Sequence, residues 1–355
     1  MSPQHNILLT GDINLMGLDS AEAVFSRIKS RLKAATAVLS NLECCFFEGP
    51  NTAHNQGNPG HFYLRSGQRE GFYAAKSAAS ALVAANISVV GNANNCNYGD
   101  EAIQSTISVL NEHRIPFSGV GVTWKDACEP ATIQREDLKI AFLQRTSVYW
   151  PNNHEASALN PGVATLKAHT AYSPEVDGYA ANRPGSPPRI HTWVDQIYLT
   201  DLVSQIRKIS TGSDITVVSL HWGYREEVLE YMREAAHAVI DAGADIVMGH
   251  GPHTPLPIEF YRSKPIFYGL GSFVFHNGHR GKTHGNWLGL MGQIKVQQKK
   301  ISEVSFCFIR RDENNQTYVC APDDEQNTLQ KLLSAESKQD YEFTIQGEDI
   351  FLKKL

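Results

Sequence analysis

The sequence has no apolar run long enough to cross a bilayer, and its first hydrophobic stretch, Ile7 to Leu9, follows no basic leader. It therefore predicts neither a membrane span nor a signal peptide, and the expected location is the cytoplasm. Cysteine is sparse and unpatterned: Cys44, Cys45, Cys96, Cys128, Cys307 and Cys320 share no repeated spacing, and the adjacent pair is badly placed for a disulfide. Free thiols in a reducing compartment follow. Excess positive charge is missing as well. A formal net charge of -5 disfavours nucleic acid as the partner and leaves a peptide or small molecule as the expected substrate. Internal repeats and low-complexity tracts are absent, while 42% hydrophobic residues in a chain of 355 suffice for a sizeable core.

What is present is one grammar used repeatedly: a short apolar strand that ends in polar, chemically capable residues. Ile7 to Leu9 leads to Gly11-Asp12-Ile13-Asn14, Thr36 to Leu39 to Ser40-Asn41-Leu42-Glu43, and Ile87 to Val90 to a loop with Asn92, Asn94, Asn95 and Asn97. Asp214 to Leu220 delivers His221-Trp222-Gly223. Ala244 to Met248 delivers Gly249-His250-Gly251-Pro252-His253, and Pro265 to Tyr268 leads to Gly269-Leu270-Gly271-Ser272. Helical spacing between these runs, over Ser20–Lys33, Tyr73–Ala85, Glu101–His113, Val194–Ile209 and Glu226–Ala242, predicts an α/β fold. In such folds ligands bind at the carboxyl ends of the strands. Two irregular excursions, near 44–71 and 149–192, read as functional loops. Beyond Gly289 the period shifts to alternation, as in antiparallel strands, and Glu325 to Leu333 reads as a short helix before a charged tail.

The strand ends collect Asp12, Glu43, Asn95, His221, His250 and His253. Two carboxylates, one carboxamide and three imidazoles make a mixed oxygen and nitrogen set, suited to one or two divalent ions such as Mn²⁺, Fe²⁺ or Zn²⁺.

Taken together, GDINLMG, NLE, Asn94-Asn95 with Tyr98-Gly99, HWG, AGADIVMGHGPH and KPIFYGLGSF resemble the CapA family of capsule synthesis and poly-γ-glutamate biosynthesis, a branch of the calcineurin-like metallophosphoesterases. The resemblance implies a four-layer α/β/β/α sandwich over residues 1–310, with 311–355 as an extension packed on it. It also places Asp12, Glu43, Asn95, His221, His250 and His253 around the metals. Three positions depart from the family's pattern: Cys96 replaces the histidine of Asn-Asn-His, Gly251 stands inside Gly-His-His-Pro-His, and Ser272 replaces the asparagine of Leu-Gly-Asn-Phe.

The resemblance implies a metal-dependent hydrolase of amide or phosphoester bonds, with Cys96, His221 and His250 as catalytic candidates. Asn94, Trp222, Tyr224, Ser272 and His276 are candidates for substrate contact. A metal-assisted peptide epimerase using Cys96 and a histidine as its acid/base pair is a second expectation. The third is a non-enzymatic accessory that binds polymer or peptide on Trp222, Tyr224 and the 149–192 excursion.

Overall fold

Apolar runs buried on both faces cannot sit at the surface of a sheet, and here they form the centres of two sheets packed face to face. A computed structural model of the chain describes residues 3–48, 72–150, 154–175, 185–277, 283, 285–334 and 341–354. Among the described residues the first sheet has ten strands. Its parallel part runs from Gln4–Asn14 through Ala37–Leu42 and Val89–Gly91 to Phe117–Ser118. On the other side of Gln4–Asn14, Gly289–Gln297, Lys300–Arg311 and Asp349–Lys354 continue it antiparallel, and Ser272–Phe275 pairs parallel with the end of Gln4–Asn14. The second sheet has six strands in the order Pro255–Tyr261, Lys264–Leu270, Ile246–His250, Ile215–His221, Leu138–Thr146 and Ala131–Arg135. Its four central strands are parallel and its two edges antiparallel.

Alternation along each strand assigns the layers. Ile7 and Leu9 face a cluster between the sheets that includes Phe142, Val217, Ile246 and Met248, whereas Leu8 faces the helical layer over the first sheet. The same split places Val218, Leu220 and Val247 under the helices Gln196–Ser210 and Glu230–Asp241. In the second of these, Met232, Ala235, Ala236, Val239 and Ile240 are buried, an i, i+3, i+4, i+7, i+8 stripe. The result is the expected four-layer α/β/β/α sandwich. No helix of the described residues is long and apolar enough to cross a membrane.

Several expectations are corrected. The 149–192 stretch is not wholly irregular: Ala168–Ser173 and Arg189–Val194 form an antiparallel pair, Ala168 opposite Val194. Every residue of Ala168–Ser173 is exposed or half-buried, so no buried face betrays its period. Pro255–Tyr261, for which the sequence predicts no element, is a strand; an edge strand tolerates its two prolines because the N–H each lacks has no partner to meet. The helix expected over Ser20–Lys33 is a 3-10 turn, Ala23–Phe25, followed by the helix Lys29–Ala34. The one expected from Tyr73 begins only at Ala79, after a two-residue strand, Tyr73–Ala74. The charged tail forms a hairpin, Tyr341–Gln346 with Asp349–Lys354, on the edge of the first sheet. Residues 49–71, 151–153 and 176–184, parts of the two excursions, lie outside the described residues, as do His279 and His284.

Candidate metal centre

The carboxyl ends of the parallel strands meet at one seam between the sheets. Asp12 sits where Gln4–Asn14 passes its pairing from one neighbour to another, in register with Asn41 on one side and Ser272 on the other. Glu43 follows directly on Ala37–Leu42. From the second sheet, His221 and His250 end adjacent parallel strands as direct register partners. His253 follows three residues later with φ of 57°, a left-handed backbone that turns the chain back over Asp12.

Distances tie these groups together. His253 Nδ1 lies 2.9 Å from Asp12 Oδ2, and its Nε2 lies 3.6 Å from Glu43 Oε2. His250 Nδ1 is 3.6 Å from Asp12 Oδ1 and 3.1 Å from His221 Nδ1. His221 Nε2 faces both Glu43 Oε1 at 3.3 Å and Asn95 Oδ1 at 3.0 Å. Asp12, Glu43 and His250 have no exposed surface and His221 almost none. Asn95 is half-buried, and His253, with 27% of its side chain exposed, opens onto a cavity of about 580 Å³ that Pro255, Trp287, Leu288 and Arg310 also line.

Burial opposes charge at every one of these groups, and their neighbours decide which give way. Against that burial, the hydrogen bond and charge of His253, helped by His250 and His221, hold Asp12 at about 2. Burial and then the charge of Asp12 push Glu43 well above the usual carboxylate range, although His253 pulls the other way. Burial is overcome again at His253, which Glu43 and Asp12 lift to about 9. It prevails at His250, held at about 4, and at His221, held well below the ordinary imidazole value with the help of His250. Neutral His221 and His250 are thus in the form that ligates metals.

The residues fit a divalent cation. Neither oxygen of Glu43 accepts a hydrogen bond among the described residues, although the side chain is fully buried. An unsatisfied buried carboxylate of this kind costs free energy that a cation recovers. Two groups of three residues, Asp12–His221–His250 and Asp12–Glu43–His253, each present ligand atoms within 4.8 Å of one another. Asp12 belongs to both.

The sequence matches the family described as bacterial capsule synthesis protein PGA_cap over residues 6–277. The chain belongs to the PGA_cap family. PGA biosynthesis protein CapA of Bacillus subtilis is 28% identical over 263 residues, 73% of this chain and 58% of that protein. Capsule biosynthesis protein CapA of Bacillus anthracis is 26% identical over 271 residues, 75% of this chain and 56% of that protein. The chain therefore spans somewhat more than half the length of these curated relatives. A solved structure described as a novel phosphatase, from Mycoplasma pneumoniae, is similar with a TM-score of 0.50 over 89% of this chain and 97% of that one, at 11% identity. That likeness concerns the fold, which is of the metallophosphoesterase type.

Of the residues that the PGA_cap pattern suggests, Asp12, Glu43, Asn95, His221, His250 and His253 converge. Others do not. Trp222 is no substrate platform: it is fully buried, stacks on Tyr268 and donates its indole N–H to the Tyr268 carbonyl at 2.8 Å. Asn94 is also fully buried, and its amide is consumed by the Asn41 side chain, the Leu42 carbonyl and the N–H groups of Cys96 and Asn97. Cys96 is 2% exposed within the apolar cluster that holds Leu42, Cys44 and Phe46, and burial drives its thiol well above its ordinary value. Its neighbour Asn95 takes the direction of the site instead. The Trp150 indole pins that loop through the Asn95 carbonyl at 3.1 Å.

Ser272 is buried with its hydroxyl 3.4 Å from His253 Nδ1. Tyr224 is 75% exposed just past the His221 strand, under Arg225. His276 pairs with Arg311 at 2.9 Å and lines a separate depression of about 330 Å³. Gly251 has a local reason in this chain: its φ is 122°, and a Cβ there would meet the Trp222 carbonyl at 2.6 Å and His221 Nε2 at 3.3 Å. Three polar residues of the site, Asn41, Gln144 and Ser219, are not among the sequence candidates. Each lies in a buried strand that holds other polar residues as well, Ser40, Arg145 and Thr216 among them, so no local signal marks it.

Proposed function

We propose that this chain is a metal-dependent hydrolase of the PGA_cap family that cleaves an amide or phosphoester bond in a peptide or small molecule. The observation that carries this reading is the pair of overlapping ligand groups sharing Asp12 at the strand ends, open to a cavity past His253. Asp12, His221 and His250 would hold one ion, and Asp12, Glu43 and His253 a second; Mn²⁺, Fe²⁺ and Zn²⁺ all suit these donors. Ions bound there supply Lewis-acid polarisation of a carbonyl or phosphoryl oxygen. Asn95 orients His221 through its amide oxygen. Pro255, Trp287 and Leu288 form the wall against which the substrate lies and from which water is displaced. The names of the relatives, which mention capsule and PGA biosynthesis, favour a γ-linked glutamyl amide among candidate substrates.

Cys96 is packed in the core, so the epimerase reading loses its acid/base partner and is not carried forward. The test is turnover of γ-glutamyl amides and p-nitrophenyl phosphate by metal-stripped protein reloaded with Mn²⁺ or Zn²⁺. Activity that requires the ion and falls more than about 100-fold in Asp12→Ala supports the hydrolase, since a shared ligand serves every step. Metal uptake without turnover of either class would leave a binding protein on a hydrolase fold.

A further inference from the structure

The two sheets contribute different ligands: Asp12 and Glu43 come from the first, His221 and His250 from the second. A residue of neither ligand group spans the seam between them. Gln144, near the end of Leu138–Thr146, is fully buried and uses each polar atom of its amide on a different part of the site. Its Oε1 accepts the Ala93 N–H at 2.6 Å. Because a backbone N–H only donates, this bond fixes which end of the amide is oxygen and leaves Nε2 as the donor. Nε2 donates to Asn41 Oδ1 at 2.9 Å, on the first sheet, and to Ser219 Oγ at 3.3 Å, on the second.

Both recipients touch a ligand directly. Asn41 Nδ2 donates to Asp12 Oδ1 at 2.8 Å. Ser219 Oγ lies 2.6 Å from His250 Nε2. One amide thus reaches a carboxylate of one sheet and an imidazole of the other, through a single intermediary each. The surrounding backbone is shaped to it: a Cβ on Gly91 would lie 2.3 Å from the amide carbon of Gln144.

We propose that Gln144 is a positioning residue of the metal centre. It acts through Asn41 on Asp12 and through Ser219 on His250, and it sets the separation and orientation of these ligands across the seam. Ser219 Oγ accepts the proton of His250 Nε2, which leaves Nδ1, the nitrogen facing Asp12 and His221, to ligate. Gln144 Nε2 lies 3.2 Å from His250 Nε2. Both are donors in this arrangement, and they converge on the Ser219 oxygen. The inference rests on the metal-centre reading.

The experiment uses the full chain, stripped of metal, with Mn²⁺ affinity measured by competition against a fluorescent chelator. Gln144→Met keeps the volume and removes every polar atom; it should weaken Mn²⁺ binding about 10–100-fold, the usual effect of losing a partner behind a ligand. Ser219→Ala should weaken binding similarly and Ser219→Thr, which keeps the hydroxyl, only slightly. The double variant should lose much less than the product of the two single effects, because both act through His250. In the Zn²⁺-loaded wild type, long-range ¹⁵N–¹H spectra should place the His250 proton on Nε2. Wild-type Mn²⁺ affinity in folded Gln144→Met, or a loaded His250 protonated on Nδ1, overturns the proposal. Should Gln144→Met fail to fold, equal affinities in Ser219→Ala and Ser219→Thr overturn it. A wild type that takes up neither Mn²⁺ nor Zn²⁺ rejects the metal centre itself, an outcome distinct from uptake that ignores the variants.

Discussion

Replacing Glu43 by glutamine should make the protein more stable without metal and cancel or reverse that advantage with it. The side chain is fully buried, both oxygens lack a hydrogen-bond donor among the described residues, and burial together with Asp12 pushes its pKa well above the ordinary glutamate value of 4.5. A carboxyl with a raised pKa binds its proton more tightly in the native chain than in the unfolded one. Its contribution is therefore most favourable below pH 4.5 and is lost as pH rises towards the native pKa. Glutamine has nearly the same shape, carries no charge and removes that loss, while His253 keeps its nearer partner Asp12 at 2.9 Å.

The gain at pH 8 in EDTA, where the carboxyl carries a buried charge and the amide none, should be about 1–3 kcal/mol and should shrink towards zero near pH 5. Mn²⁺ at a hundred times its dissociation constant adds about 2.7 kcal/mol to the wild type through binding alone. Glu43→Gln, having lost a ligand, should gain little, so the order of stability evens out or inverts on adding metal. Urea unfolding followed by circular dichroism, at pH 5 and 8 with EDTA or Mn²⁺, measures all of this. A variant less stable than wild type in EDTA at pH 8, or one that Mn²⁺ stabilises equally, would refute the reasoning.

Metal uptake at pH 8 should release close to one proton, because His253, at about 9, is protonated in the metal-free protein and must lose that proton to ligate. Calorimetry in buffers of different ionisation enthalpy counts it, and no buffer dependence would contradict the assignment. Without metal, the stability that protonated His253 provides is complete below about pH 6.5 and disappears as pH rises through 9; His253→Gln should flatten this limb of the stability curve. Cys96→Ala should retain Mn²⁺ affinity within a few-fold, and native Cys96 should resist thiol reagents until the chain unfolds, given its packing and its raised pKa. Gly249→Ala should cost about 3 kcal/mol or prevent folding, since the new Cβ would lie 2.3 Å from the Tyr268 carbonyl and 2.5 Å from Trp222 Nε1. Denaturation midpoints decide it.

The parallel strands were legible because burial on both faces leaves uninterrupted apolar runs, and the candidate ligands because each lies at the end of such a run or within four residues of it. Trp222 shows where this reasoning stopped short. It shares strand parity with Leu220, and both belong to the helix-covered cluster, while His221 between them faces the seam. Strand alternation alone predicts that result, although an aromatic beside a histidine looks like a binding surface. Asn95 and Cys96 divide in the same way between site and core. Gln144 and Ser219 were hidden for a different reason: their importance lies in partners more than 25 positions away along the chain, which no local pattern encodes. The Ala168–Ser173 strand left no trace because it buries no face.

The split of the ligands between two sheets also bears on how the protein comes into being. Synthesis delivers Asp12 and Glu43 early and His221, His250 and His253 only after most of the chain has emerged. A nascent chain that has made only the first strands offers an ion two carboxylates, a weak and unselective pair. The full mixed set forms when the last parallel strands dock, which are contacts of high sequence separation and slow to form. If the proposed centre takes up metal, ion capture would report a completed fold, and a chain halted before His250 would be left without the grip that distinguishes a transition metal from the abundant hard cations around it.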